Sequence, residues 1–575
     1  MSRQEMTVDQ LVANIQKGYI QKPEMQRGFV WQDTRVRDLL DSLYRGYPSG
    51  TILLWEATTD APTTEFAITT EKSSTSRPLL LLDGQQRLTS LSSVIRGEPI
   101  IAKKGRKLKS IEILFNLAHP DDLLAITEID DTPEEVSRSL IDDDPDDDDD
   151  EEEEEGTLQE RLRQSTFIVA SPQLKNSTNW VNVSQVFSSS FSDGDFLKRA
   201  GVKDWDDPLY KKYAERLQRL RKIREYSYRL DVLEPELSYE EVTEIFIRVN
   251  SSGVKLRGSD LALAQITAKW RNSLVLFQDF QSTVNKESGL YFDLSFFIKH
   301  LVISITGQSQ FKTLGSLSKE ELEAGWKTTK KNINYAINFL KSSLKIDSLA
   351  LLSSPFILHT IAYWGEKNSC KPSQLESSAM RRWALIANTK SYYSSSAETK
   401  LDADLLALRS GSDASGLLSR LETSLGRLDV TEAEVTEKTI SSGYFKAMFL
   451  AFREDGAKDW MSKLPISLHH SGVQDKLQFH HIYPKAFLKE RYPELGKKQH
   501  NDIANLAFIS GDTNRKIGAK PPAEYLKAFI KSKDVGLLAL QAIPTKSEML
   551  DEYSYDEFLI QRRKAIVKRI NKLLM

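Results

Sequence analysis

The sequence predicts an α+β protein of several domains. A chain of 575 residues is too long for one hydrophobic core. Its first 270 residues alternate short apolar runs with helical periodicity, whereas residues 275–425 are largely helical. The last 145 residues return to a strand–strand–helix pattern around a cluster of histidines. The expected domains are therefore 1–270, 271–429 and 430–575.

In the first domain, Val8, Leu11, Val12 and Ile15 fall on one helical face, and Asp33 can cap a helix carrying Val36, Leu39, Leu40 and Leu43. Gly50–Trp55 and Pro78–Leu82 are apolar strands. The second is cut by Asp83-Gly84 and followed by helical spacing at Leu88, Leu91 and Val94-Ile95. Tyr226–Val232 alternates as a strand, Tyr239–Val249 is a helix closed by Asn250-Ser251-Ser252-Gly253, and Ser259 caps a helix to Trp270. Residues 119–165 are polar and end in a run, 142–155, with 13 acidic residues. Like charges cannot bury a core, so this stretch is expected to be a disordered insertion; a nucleic-acid mimic docked on a basic groove is the other use of such a tract.

The formal charge of −3 hides a basic remainder: without the acidic run, 78 Lys and Arg face 68 Asp and Glu. From Ser471 onward there are 19 basic and 12 acidic residues, including a basic helix over Phe558–Leu574. That balance suits a phosphate polyanion as well as an ordinary solvated surface. No run of about 18 apolar residues exists, so no transmembrane helix is expected. The N-terminus lacks the apolar core of a secretory signal, and the single Cys370 excludes both an internal disulfide and a cysteine-cluster zinc site. A cytoplasmic protein is expected.

Chemistry concentrates near the C-terminus. Five of the eight histidines lie between His469 and His500. The strand Gln478–His481 ends in His480-His481. Asn505 opens a second strand, NLAFI, and Asn514-Arg515-Lys516 precede a helix over Pro521–Ile530. Imidazole takes a proton from water near neutral pH, and histidine nitrogen and amide oxygen both ligate divalent metals. A ββ-then-helix order can place His481, Asn505 and Asn514 around one metal, beside the cations Lys485, Arg515, Lys516 and Lys520.

Three further constellations lie near the N-terminus. Asp83-Gly84-Gln85-Gln86-Arg87 follows a four-leucine strand: the glycine allows a strained turn, and the helix start and Arg87 favour an anion. A polar turn whose arginine pairs with an acid is the alternative. Pro23–Trp31 offers Gln26 and Arg27 beside aromatic anchors. Phe246–Leu256 offers Arg248, Asn250 and Ser251, as phosphate donors or as an ordinary helix end.

The string Asp83–Arg87, with the upstream Pro-x-x-Gln-Arg-x-Phe-x-Trp and downstream Phe-x-Arg-x-Asn-Ser-x-Gly elements, resembles the ParB/sulfiredoxin-like nucleotide-binding domains. His480-His481-Ile-Tyr-Pro-Lys with Asn505-Leu506 and Asn514-Arg515-Lys516 resembles the His-Asn-His (ββα-metal) nucleases, which usually carry Asp or Glu where this chain has His480. In this order the two resemble single-chain GmrSD-type modification-dependent restriction endonucleases. The resemblance implies hydrolysis of a nucleoside triphosphate (GTP, UTP, CTP or ATP) in a pocket of Gln26, Arg27, Asp83, Gly84, Gln85, Gln86, Arg87, Arg248, Asn250 and Ser251. It implies metal-dependent cleavage of double-stranded, chemically modified DNA in defence against phage. His481 would be the general base, His480 and Asn514 would hold one Mg or Mn ion, and Asn505 would orient the catalytic loop. Lys516 would assist at the phosphate, and Lys485, Arg515 and Lys520 would grip DNA. A nucleotide-gated regulator with an inactive nuclease, an RNA-cleaving toxin, and self-association into a homo-oligomer all stay open at this point.

Overall fold

The structure is a computed structural model. It describes residues 2–24, 31–57, 63–64, 78–104, 107–121, 165–170, 178–188, 191–252, 258–469, 476–531, 535–544 and 555–575. Gln26 and Arg27 lie outside the described residues, as do the acidic run and almost all of the expected insertion. The described chain forms two compact units, one up to Leu276 and one from Phe277 to Met575. The helices over 294–454 and the histidine hairpin thus share one unit, where the sequence pattern separates 271–429 from 430–575.

The first unit is built on a six-stranded mixed sheet. Its order is Ser2–Thr7, Ser227–Leu233, Ile52–Glu56, Leu79–Asp83, Ile20–Pro23, Thr63–Thr64. The sheet is buried on both faces, which explains why its central strands read as continuous apolar runs rather than alternating ones. One face carries Ile20, Ile52, Leu54, Leu81 and Leu230, packed under helices Val8–Gln16, Asp33–Arg45 and Gln85–Ile95. The other carries Leu53, Trp55, Leu80 and Leu82 under helices Tyr239–Ser252 and Gly258–Lys269.

Two helix ends differ from expectation. Gln32, not Asp33, occupies the N-cap of Asp33–Arg45, and the Asp33 carboxylate accepts from the Thr34 amide inside the first turn. The helix expected to stop at Val249 runs on through Ser252.

The second unit is mainly helical. Its helices include Leu294–Thr306, Lys319–Ser342, Phe356–Lys367, Gln374–Thr389 and Gly443–Glu454. The antiparallel hairpin Leu477–His481/Leu506–Ser510 rests on Gly443–Glu454, with Phe508 ringed by Phe445, Phe449, Phe452 and Phe479. A short helix, Gly511–Ile517, follows the second strand at once, and Pro522–Lys531 comes after it. Asn514 therefore sits on a short helix of its own, ahead of the helix expected over Pro521–Ile530. The C-terminal helix Tyr555–Leu573 closes against Gly443–Glu454. No helix among the described residues is long and apolar enough to cross a membrane.

Candidate functional site

Strand geometry decides how the two histidines are used. Successive residues point to opposite faces. Gln478 and His480 share one face, and Asn514 bridges them: its Oδ1 is 2.7 Å from His480 Nδ1, and its Nδ2 donates to Gln478 Oε1 at 2.8 Å. His481 turns the other way, its Nε2 2.9 Å from Asn501 Oδ1. The structure thus brings His480 and Asn514 together, and places His481 beside a different asparagine.

Each amide oxygen can only accept, so it selects a tautomer. Asn501 holds the His481 proton on Nε2 and leaves Nδ1 as the basic nitrogen. Asn514 likewise draws the His480 proton to Nδ1. On the far side of that ring, the Tyr525 hydroxyl is 3.3 Å from Nε2 and donates to the Ile482 carbonyl at 3.0 Å. His480 is 4% exposed, and burial pushes its pKa down to about 4, so the ring is neutral at physiological pH.

Asn505 is fully buried. Its Oδ1 accepts from the Tyr483 amide at 2.8 Å, and its Nδ2 donates to the Tyr483 and His500 carbonyls at 3.0 Å each. It ties the segment leaving the histidine strand to the segment entering the second strand, and cannot itself touch a substrate.

The helix Gly511–Ile517 is anchored by Asp459. The Asp459 carboxylate accepts from the Ser510 amide (2.7 Å), the Ser462 amide (2.7 Å) and Thr513 Oγ1 (2.8 Å). Burial raises its pKa, but these bonds outweigh burial and hold it below the usual carboxylate range. At about 100° per residue, a helix that turns Asn514 inward turns Arg515 and Lys516 outward. Both are exposed, and both pair with Asp512. Lys520 is exposed and Lys485 half-buried.

The basic C-terminal helix is not an open cationic face. Arg562 is completely buried and donates to the Ala504, Leu506 and Gln541 carbonyls. Arg563 pairs with the buried Asp502 at 2.6 Å, and Arg569 with the Ala539 and Leu540 carbonyls. The three arginines of this helix are therefore spent on backbone carbonyls and on Asp502.

In the first unit, Gly84 caps the Gln85–Ile95 helix with φ +97, and a Cβ there would meet Ile52 at 3.1 Å. Only glycine fits without strain. Arg87 is committed locally: it donates to the Ser49 and Thr51 carbonyls and to Asp83 (3.0 Å), with its guanidinium over the Tyr228 ring. Gln86 Oε1 accepts from the Trp31 amide at 3.2 Å, so the Pro23–Trp31 constellation ends against the Asp83–Arg87 turn. Arg248 is exposed, pairs with Glu244, and lies on a helix packed on the opposite sheet face. Asn250 and Ser251 fall in the last turn of that helix, their side chains outside the described residues.

Three residues of the C-terminal site escape the sequence pattern: Asn501, Tyr525 and Asp459. The signal for Asn501 was its polar place in the segment linking the strands. Tyr525 and Asp459 carry none, because their partners lie 45 and 51 residues away.

The chain is similar along nearly its whole length to the uncharacterized protein MJ0686 of Methanocaldococcus jannaschii. The two are 22% identical over 584 residues, covering 96% of this chain and 91% of the relative. Residues 8–267, which include five strands of the six-stranded sheet but not Ser2–Thr7, match the family model of the GmrSD restriction endonuclease, N-terminal domain.

Proposed function

We propose that this chain is a nucleotide-regulated, metal-dependent DNA endonuclease of a defence system, restricting chemically modified foreign DNA. The match of residues 8–267 to a restriction-endonuclease domain suggests the biological setting. The observation that carries the chemistry is the hairpin ending in two histidines with separate amide partners, His480 on Asn514 and His481 on Asn501.

A 2.7 Å separation of His480 Nδ1 and Asn514 Oδ1 lies a few tenths of an ångström inside the roughly 3.0 Å octahedral edge that follows from metal–ligand bonds of about 2.1 Å. A neutral imidazole is the ligating form, and Tyr525 can accept the displaced proton on Nε2 while it donates to Ile482. The pair fits a divalent ion whose remaining positions are filled by water and phosphate. Such an ion would supply positive charge at the scissile phosphate.

The protein's own residues do the rest. His481 Nδ1 takes the proton of the attacking water, with Asn501 fixing the ring. Asn505 holds the loop behind it. Lys485, Arg515, Lys516 and Lys520 contribute a sequence-blind grip on the backbone. The Asp83–Arg87 turn is the nucleotide site whose occupancy regulates cleavage.

A second reading, a nucleotide-gated DNA-binding protein without nuclease activity, is favoured by one observation. Among the described residues no three His, Cys, Asp or Glu side chains converge on a metal position. Incubating the purified chain with modified and unmodified phage DNA, across metals and nucleotides, separates the two. Cleavage that needs a divalent metal and is stopped by EDTA supports the endonuclease. DNA binding without cleavage under every condition supports the regulator.

A further inference from the structure

The Asn514 amide has two ends that differ in chemistry and hardly at all in shape. Its oxygen accepts and can ligate a cation, whereas its nitrogen only donates. A half-turn about the last side-chain bond exchanges them. What holds the amide therefore decides whether Asn514 offers His480 a ligand oxygen or a competing N–H.

The anchor of the Gly511–Ile517 helix does not decide it. Asp459 holds the Ser510 amide and Thr513 Oγ1, which places the Asn514 side chain but not the face of its amide. His480 does not decide it either. An imidazole nitrogen donates in one tautomer and accepts in the other, so Nδ1 can meet either end. The third contact is Gln478. Gln478 and His480 are two residues apart on Leu477–His481, opposite Ile509 and Ala507, and so stand on one face of the hairpin. Asn514 reaches both: Nδ2 donates to Gln478 Oε1 at 2.8 Å while Oδ1 stands 2.7 Å from His480 Nδ1. Gln478 is half-buried, and among the described residues this is the one hydrogen bond its side chain makes.

We propose that Gln478 is a positioning residue of the metal centre. By accepting from Asn514 Nδ2 it keeps Asn514 Oδ1 turned toward His480 Nδ1. This rests on the assignment of a divalent metal to His480 and Asn514, and adds the residue that keeps the pair competent to bind it. A reversed Asn514 would set its own N–H on the His480 lone pair that a metal needs. Gln478 acts only through Asn514, so its effect should vanish where position 514 has no amide to reverse. Aspartate meets that condition, because both ends of a carboxylate are oxygens.

The test uses the full-length protein and calorimetry with Mn²⁺ alone. The 13 acidic residues of 142–155 also attract Mn²⁺, so the site is defined by the binding lost in His480→Ala. Gln478→Met removes the acceptor and should weaken that binding by at least about tenfold, the scale on which partners of metal ligands act. Gln478→Glu keeps an acceptor and should bind at least as well as wild type. In an Asn514→Asp background, Gln478→Met should change affinity by less than about twofold, the non-additivity expected of two residues acting as one. The urea midpoint of Gln478→Met should stay at the wild-type value; if that variant does not fold, Gln478→Leu replaces it. Wild-type protein with no Mn²⁺ binding beyond that of His480→Ala overturns the metal site itself. Wild type that binds there, with Gln478→Met or Gln478→Leu unchanged, overturns the role of Gln478 alone. So does an equal loss in Gln478→Glu, or an equal loss with Asn514 and with Asn514→Asp.

Discussion

Arg562→Met is the perturbation whose cost follows most directly from the structure. The guanidinium is fully buried and donates to three carbonyls: Ala504 and Leu506 at 2.7 Å each, and Gln541 at 3.2 Å. Methionine fills most of the same space, so the change is mainly loss of donors. Hydrogen bonds from a charged group contribute about 1.5–3 kcal/mol each, and a buried acceptor left bare costs about 1–3 kcal/mol. Two short bonds and one long one therefore represent roughly 4–7 kcal/mol. Against this stands the cost of burying the cation, visible in a pKa lowered by burial to about 9. The acceptors are backbone carbonyls that remain when the arginine goes, so the loss should win, leaving a net destabilisation of about 3 kcal/mol. Urea denaturation followed by tryptophan fluorescence reads it, since Trp460 is buried beside His480. Asn505 lies between Ala504 and Leu506, so DNA cleavage should fall as well. A stability change under about 1 kcal/mol would refute the reasoning and return Arg562 to the DNA-facing surface.

Three other outcomes follow. Gly84→Ala should cost about 1–2 kcal/mol, because an L-residue is forced to φ +97 against Ile52, and should weaken nucleotide binding; unchanged unfolding and affinity would contradict it. Burial holds His300 at about 3, His119 and His480 at about 4, and His359 well below its usual range. The unfolded chain protonates these rings below about pH 6.5 while the folded protein does not, so their contribution is complete above pH 6.5. It is lost at up to about 1.4 kcal/mol per histidine per pH unit as pH falls towards the folded values; an unfolding midpoint flat from pH 7 to 5 would contradict it. Asn501→Leu should lower cleavage by at least about tenfold, the scale on which orienting partners of functional histidines act, with Asn501→Asp retaining more activity because it keeps the acceptor; equal rates in all three proteins would remove Asn501 from the site.

What could be read from the sequence was local. Val8, Leu11, Val12 and Ile15 mark a helix because 3.6-residue spacing is written in adjacent turns. The four leucines before Asp83-Gly84 mark a buried strand and its turn, and the hairpin is visible in two apolar runs around the histidines. What could not be read depends on distant partners. Arg87 looks like a phosphate ligand until Ser49 and Thr51, some 36–38 residues earlier, take its donors. Arg562 looks like surface charge until the carbonyls beside Asn505 close over it. Lys22 looks like an ordinary polar strand residue, and only the fold shows it 5% exposed.

The central claim is that the histidine hairpin is the catalytic centre of a DNA endonuclease. Single-turnover cleavage of a susceptible DNA by wild type and His481→Ala, with saturating divalent metal and with EDTA, tests it most directly. The same His481→Ala preparation should unfold at the wild-type urea midpoint and bind nucleotide as wild type does. Loss of His481 should slow the cleavage step by roughly 10²–10⁴-fold, and neither protein should cleave in EDTA. Cleavage by His481→Ala at the wild-type rate, or by wild type without metal, would place the chemistry elsewhere in the chain.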